Sequence, residues 1–177
     1  MPDLINIADI LPLRAELLGD RPAIRCPGSI GPDGFARYDD LISYADLDRR
    51  SHDLALGFCA YGIGRGQRAV VMLRPSIEFF LVMFALFKAG AVPVLVDPGI
   101  AHSALKQCLR EVAPEAFIGI PLAQAAKLLL RWAPDVCLNV TAGRFALFGG
   151  TTLTAIETLG RTSHLDLPEV AGEDPAA

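Results

Sequence analysis

The segment Phe79–Pro98, FFLVMFALFKAGAVPVLVDP, joins two kinds of apolar pattern at one glycine. From Phe79 to Phe87 no polar residue intervenes, so a helix here is apolar all round and belongs inside the molecule rather than on its surface. Lys88 places a cation in the last turn, where it complements the negative end of the helix dipole, and Gly90 can take the left-handed conformation that ends helices. Val92–Val96 then reads as a continuous, β-branched strand of the kind covered on both faces in parallel sheets, with Pro93 tolerable near its start. Asp97-Pro98-Gly99 stops it. A buried helix feeding a buried strand is half of a βαβ unit, and it commits the surrounding chain to an α/β fold.

The flanking sequence fits that frame. Leu4 to Leu18 has apolar residues at helical spacing, with Asp3 as a possible N-cap, Gly19 as a stop and Pro12 as a potential break or kink. Arg21–Cys26 reads as a strand, Pro27–Gly34 as a Gly/Pro-rich loop, and Phe35–Ser43 as the second strand of an antiparallel hairpin. Ser43 can cap a following helix, with Asp46 three residues on as the acidic member of a capping box and Leu47, Leu54, Ala55 and Phe58 on its inner face.

Gly62, Gly64 and Gly66 end that helix. They imitate a dinucleotide loop in the wrong order, since a phosphate-binding loop follows a strand and opens a helix, so they read as a turn. Arg68–Leu73 is the first buried parallel strand, and Ser76 caps the apolar helix with Glu78 in its first turn. Helix His102–Val112, strand Ala116–Ile120, helix Leu122–Trp132 opened by Pro121, and strand Val136–Val140 complete a βαβαβαβ order. The expected fold is α/β, a doubly wound, mostly parallel sheet with flanking helices, preceded by an antiparallel β-hairpin.

Three motifs in sequence carry a family resemblance. Leu86–Pro98, LFKAGAVPVLVDP, resembles the second core motif of adenylate-forming enzymes, the superfamily of acyl- and aryl-CoA synthetases, peptide-synthetase adenylation domains and luciferases. Ile42–Leu47, ISYADL, resembles their first core motif, and Gly62–Val70, GIGRGQRAV, their glycine-basic turn leading into an apolar strand. Within the superfamily, DPGI at Asp97–Ile100 followed by LKQCLREVAPEAFIGIP at Leu105–Pro121 is similar to the olefin-biosynthesis β-lactone synthetases, which are fatty-acyl-CoA ligase-like.

The resemblance covers most of Asp3–Trp132. It implies the N-terminal portion of the large domain of an adenylate-forming enzyme, with ATP and Mg as cofactors. The implied reaction turns a long-chain 2-alkyl-3-hydroxy acid into a β-lactone, releasing AMP and pyrophosphate. A long-chain fatty-acyl-CoA ligase is the sibling reading, and the residues seen here separate the two only by DPGI. Implied partners are the hydroxy-acid substrate, the remainder of the enzyme's own chain and other olefin-biosynthesis enzymes.

Parts of the family pattern are missing. No Ser/Thr/Gly-rich loop ending in Pro-Lys-Gly occurs; Gly149-Gly150-Thr151-Thr152 is the nearest imitation and reads as a turn. The expectation is therefore an N-terminal piece, inactive alone, with residues 1–164 as an α/β subdomain and 165–177 as a flexible acidic tail leading to the missing phosphate loop. No catalytic residue is assigned, the cofactor-binding residues stay unknown, and no metal ligand is named.

Composition narrows the alternatives. A net charge of −4 leaves no basic stripe for nucleic acid. Arg49-Arg50, the only adjacent basic pair, reads as a solvated helix face among Asp46, Asp48 and Asp53. The longest apolar run is about half of the roughly 20 residues that span a bilayer, so no transmembrane segment is expected, and no secretory signal is read at the start. Cys26, Cys59, Cys108 and Cys137 lack CxxC spacing and read as reduced thiols of a cytoplasmic protein, Cys108 as a small buried hydrophobe.

Three histidines, His52, His102 and His164, are too scattered for a metal site; His102, near a strand's C-terminal end, is a minor candidate for ligand contact. Arg74 stands where open α/β sheets bind ligands, but reads first as the partner of a nearby carboxylate. Phe79, Phe80, Phe84 and Phe87 could line a fatty-chain tunnel, though core packing already accounts for them. A non-catalytic α/β binding module is the contrasting class. A hydrophobic content of 52% with a helix apolar all round argues instead for burial against further chain.

Overall fold

The structure, a computed structural model, describes residues 6–96, 101–146 and 148–175. Asp3, the Asp97-Pro98-Gly99 stop and the DPGI segment lie outside the described residues.

Five parallel strands form the main sheet: β3 (Arg68–Met72), β4 (Val92–Leu95), β5 (Ala116–Gly119), β6 (Leu138–Thr141) and β7 (Thr151–Thr152), in the order β4-β3-β5-β6-β7. Alternation along β3 and β5 sends their side chains into two separate cores. Ala69, Val71, Ala116 and Ile118 pack under helices α2 (Tyr44–Tyr61), α3 (Ile77–Lys88) and α6 (Leu153–Arg161). Val70 and Phe117 meet α4 (His102–Val112), with Ala123 and Ala126 of α5 (Pro121–Leu130) against the same cluster. Helices on both faces make the sheet doubly wound, as expected from the sequence.

The apolar helix α3 is enclosed as its pattern demands. Glu78 is its one exposed residue, while Leu81, Val82, Ala85 and Leu86 are fully buried. Ser76 accepts from the Phe79 amide at 3.3 Å, and Gly90 has φ +67°. Lys88 does more than meet the helix dipole. Only 8% of its side chain is exposed, and its ammonium donates to Asp48 Oδ1 at 2.7 Å and the Asp48 carbonyl at 2.9 Å, tying α3 to α2. Phe79, Phe80, Met83 and Phe84 are half-buried and pack against this core.

Several expected boundaries move, each for a local reason. β4 is an edge strand, not covered on both sides: Leu95 is 56% exposed, and the edge position is what accommodates Pro93. At the N-terminus, Asn6 caps a 3-10 turn (Ile7–Asp9) in a reciprocal box with Asp9, and α1 runs Ile10–Leu18. Pro12 is its third residue, where an amide would lack an intrahelical partner anyway, so the helix does not break. The hairpin pairs β1 (Pro22–Cys26) with β2 (Asp40–Ser43) as continuous strands, and beyond them the two arms stay linked by an isolated Ile30–Ala36 bridge and backbone bonds of Arg37 with Gly28 and Ser29. Ahead of β2, Asp39 accepts from the Ser29 amide and hydroxyl and Asp33 pairs with Arg37, so side chains supplement the sparse backbone pairing where a continuous strand was expected. Ser43 caps α2 through the Asp46 amide at 3.1 Å, but the Asp46 carboxylate turns to Arg49 and the Ser43 hydroxyl. Helix α5 ends at Leu130, with Arg131 left-handed.

Helix α6 is absent from the sequence reading. Thr152 caps it by accepting from the Ala155 amide at 3.2 Å, and Leu153, Ile156 and Gly160 face inward. It crosses α2 at backbone contact: a Cβ on Gly57 would overlap the Ile156 carbonyl, and one on Gly160 the Asp53 carbonyl. Arg50 reaches from α2 to Glu157 at 3.1 Å, and Arg161 reaches back to Asp53 at 3.1 Å. Arg50 is thus a structural cation, whereas Arg49, 2.7 Å from Asp46, stays on the solvated face. Beyond α6 the described residues to 175 form no helix or strand, yet Leu167 packs on the core and Asp174 pairs with Arg65 at 2.9 Å.

Two outcomes follow from the α2–α6 crossing. Gly57→Ala or Gly160→Ala should cost about 1–3 kcal/mol in urea unfolding, because backbone rather than a movable side chain fills the space. Gly64→Ala, where nothing lies within 4 Å, should stay within about 0.5 kcal/mol. Burial pushes the Glu157 carboxyl up, but Arg50 and Arg161 together outweigh it and hold the group below its ordinary value of 4.5. The unfolded chain therefore takes up this proton first, and the stabilisation is complete above that value and lost as pH falls through the lower, folded one. Glu157→Gln should lower stability at neutral pH and flatten its decline between about pH 5 and pH 3, read as urea midpoints.

Candidate functional site

In the order β4-β3-β5-β6-β7 the chain winds one way from β3 to β4 and the other way through β5, β6 and β7. The switch falls between β3 and β5, and open α/β sheets hold ligands outside the carboxyl ends of the strands at such a point. A cavity of about 420 Å3 lies there, lined among others by Leu73 and Arg74 after β3, Ile120 after β5, and Gly143 and Arg144 after β6.

Two helices begin at this cavity. Ser76, the cap of α3, lines it, and so do Leu153 and Thr154, the first residues of α6. Both helices present the positive end of their dipole, alongside the guanidinium groups of Arg74 and Arg144. Arg144 sits over the Phe145 ring, 5.8 Å from its centroid. Glu78 is the one carboxylate among the described residues of the lining. Such an edge can hold and orient an anionic group. Among the described residues its lining contains no histidine, cysteine or lysine, and its hydroxyls at Ser76 and Thr154 stand at helix starts, so it reads as a binding wall rather than as a set of reacting groups.

Arg74 departs from the sequence reading. It is exposed and pairs with no described carboxylate, although Glu78 shares the cavity. Arg144 was missed altogether, because its place is visible only once the end of β6 is fixed. His52 lies on the exposed side of α2 and lines a separate cleft with Lys88; His102 opens α4; His164 is exposed after α6. The structure does not bring the three together.

An ATP–Mg site does not fit the described residues. Gly149 and Gly150 turn with positive φ, but Gly150 is pressed against the Asn139 backbone and the Thr152 hydroxyl is engaged in capping α6. No group of three His, Cys, Asp or Glu among the described residues could hold a metal ion. No chemical step is therefore routed through this chain's own residues.

Residues 14–174 match the family model of the AMP-binding enzyme. The chain belongs to the AMP-binding enzyme family. It is 58% identical over its full 177 residues to the olefin β-lactone synthetase of Xanthomonas campestris pv. campestris, of which it spans 32%. It is likewise 58% identical, over 97% of its length, to the olefin β-lactone synthetase of Stenotrophomonas maltophilia, spanning 31% of that protein. Among solved structures it resembles a long-chain-fatty-acid-CoA ligase from Archaeoglobus fulgidus with a TM-score of 0.78, covering 97% of this chain and 33% of that one. Identity there is 20%, and the likeness is one of fold. The chain thus spans about a third of the curated relatives it matches. As an AMP-binding family member it supplies the N-terminal α/β layer, with the first two core motifs at the start of α2 and across the end of α3 into β4.

The four thiols of this family member are free, but not alike. Cys26 and Cys59 are buried and half-buried, and burial pushes both above the ordinary thiol range; Cys108 is exposed, against the expectation of a buried hydrophobe, as is Cys137. A disulfide-exchange reagent should titrate Cys108 and Cys137 quickly in the native protein and all four after denaturation. No helix among the described residues is long and apolar enough to cross a membrane.

Proposed function

We propose that this chain forms the N-terminal part of an ATP-dependent, AMP-forming β-lactone synthetase acting on long-chain 2-alkyl-3-hydroxy acids. The observation that carries this reading is 58% identity, along the whole chain, to two olefin β-lactone synthetases. In this reaction the carboxylate attacks the α-phosphate of ATP and pyrophosphate leaves, giving an acyl adenylate; the substrate's own 3-hydroxyl then attacks the acyl carbon, losing its proton as AMP departs, so that proximity replaces a second substrate. The chain's part is structural and positional: a rigid two-faced sheet whose C-terminal edge, with Arg74 and Arg144, offers an anion-binding wall. Residues 1–164 act as one subdomain, and the segment that follows is anchored on it through Leu167 and Asp174. ATP and Mg are held mainly outside these residues. The protein works in the cytoplasm, where its thiols stay reduced, beside other enzymes of olefin biosynthesis.

The test is to supply the longer polypeptide that carries this sequence with ATP, Mg and a 2-alkyl-3-hydroxy acid, with and without coenzyme A. Stoichiometric AMP and β-lactone without coenzyme A support the reading, as does the absence of turnover by the 177-residue chain alone. Product formation that requires coenzyme A and gives a thioester would replace it with an acyl-CoA ligase.

A further inference from the structure

Across the α4–α5 face of the sheet, remote in the fold from the strand ends, four cations meet in one cleft. Lys106 and Arg110 are four residues apart on α4; Lys127 lies on α5 and Arg131 four residues on, at its C-cap. All four line a cleft of about 640 Å3, within the range that holds small ligands, and no carboxylate lines it among the described residues. None of the four pairs with a described carboxylate. Like charges four apart on a helix repel, and here two such pairs face each other in a chain of net charge −4.

Helix dipoles account for only part of this. Arg110 and Lys127 stand in last turns and Arg131 at a C-cap, where a cation is favourable, but Lys106 lies mid-helix and gains nothing from the dipole. Arg131 and Ala133 both have positive φ, +50° and +42°, conformations that disfavour side chains. Between them Trp132 is driven into the small core of Val70 and Phe117, while Arg131 is left exposed on the cleft. Lys127 is held over the Phe117 ring at 5.4 Å, donates to Asn139 Oδ1, and is pushed below the ordinary ammonium value by burial. Lys127, also donating to the Val136 carbonyl at 3.4 Å, is thus fixed in place on one cleft wall, with the exposed Arg131 guanidinium beside it.

We propose that the cleft between α4 and α5 binds a diphosphate group, free or carried on a nucleoside, at a site separate from the strand-edge cavity. Two facing pairs of cations match two adjacent phosphates better than one. Calorimetric titration with inorganic pyrophosphate at low salt should give saturable 1:1 binding, about tenfold or more tighter than orthophosphate and falling steeply as salt rises. Arg110→Gln combined with Arg131→Gln should weaken pyrophosphate about tenfold or more, with an unchanged or slightly higher melting temperature, since both side chains are exposed. Arg74→Gln should leave this binding as it was. ADP bound with the same loss in the double variant supports recognition of a diphosphate carried on a nucleoside. Absence of saturable binding, equal affinity in the double variant, loss in Arg74→Gln instead, or AMP bound as tightly as ADP would each overturn the proposal.

Discussion

Burial of β3 and β5 on both faces is the constraint from which the rest of the molecule follows. A strand covered twice can spare no polar side chain, and its backbone groups must all pair within the sheet. Ala69, Val70, Val71, Ala116, Phe117 and Ile118 meet that demand, and their alternation distributes apolar volume to two cores at once. Helices must then cover both faces, and each crossover returns the chain to start another parallel strand. Because the strands run parallel, their carboxyl ends collect on one edge together with the helices that start there. The anion-accepting edge at Arg74 and Arg144 is thus a consequence of topology before it is a matter of particular side chains.

The α2–α6 contact closes this arrangement. Glycines at 57 and 160 let two backbones touch, and the ion pairs of Arg50 with Glu157 and Arg161 with Asp53 fix the register on either side of the crossing. These pairs are partly exposed and individually modest. Their value lies in orientation: they set the direction in which α6 points its N-terminus, and so bring Leu153 and Thr154 to the strand-edge cavity beside Ser76.

What the sequence made legible was governed by unambiguous patterns. The apolar run of α3, its Ser76 cap and the Gly90 stop leave one structural solution, and β3 and β5 are readable because continuous apolar runs between turn signals have few alternatives. The edge position of β4 was not readable, since its residues fit a central strand equally well and only pairing decides. Helix α6 was overlooked because TTLTAIETLGR is short and β-branched at its start, with its inward face completed by a glycine that carries no hydrophobic signal. Thr152, three residues ahead of Ala155, was the available cue. At the strand edge Arg74 could be placed from its position after an apolar strand, whereas Arg144 required the end of β6. The family resemblance rested on sequence alone and needed none of these boundaries.

Charge placement separates the two halves of the molecule in a way that net charge hides. Carboxylates at 46, 48, 53 and 157 are used against Arg49, Lys88, Arg50 and Arg161, so the face built by α2, α3 and α6 is internally neutralised. On the opposite face and along the strand ends, Arg74, Lys106, Arg110, Lys127, Arg131 and Arg144 have no described carboxylate partner. At the strand edge Arg74 and Arg144 outnumber Glu78, the one described carboxylate of the lining, and such an excess of positive charge draws anions toward it and speeds their encounter. For the proposed chemistry, which begins with a carboxylate and a polyphosphate, both strongly anionic, a layer that neutralises its own acids on one side and leaves its cations open on the other is suited to guiding substrates without taking part in bond making.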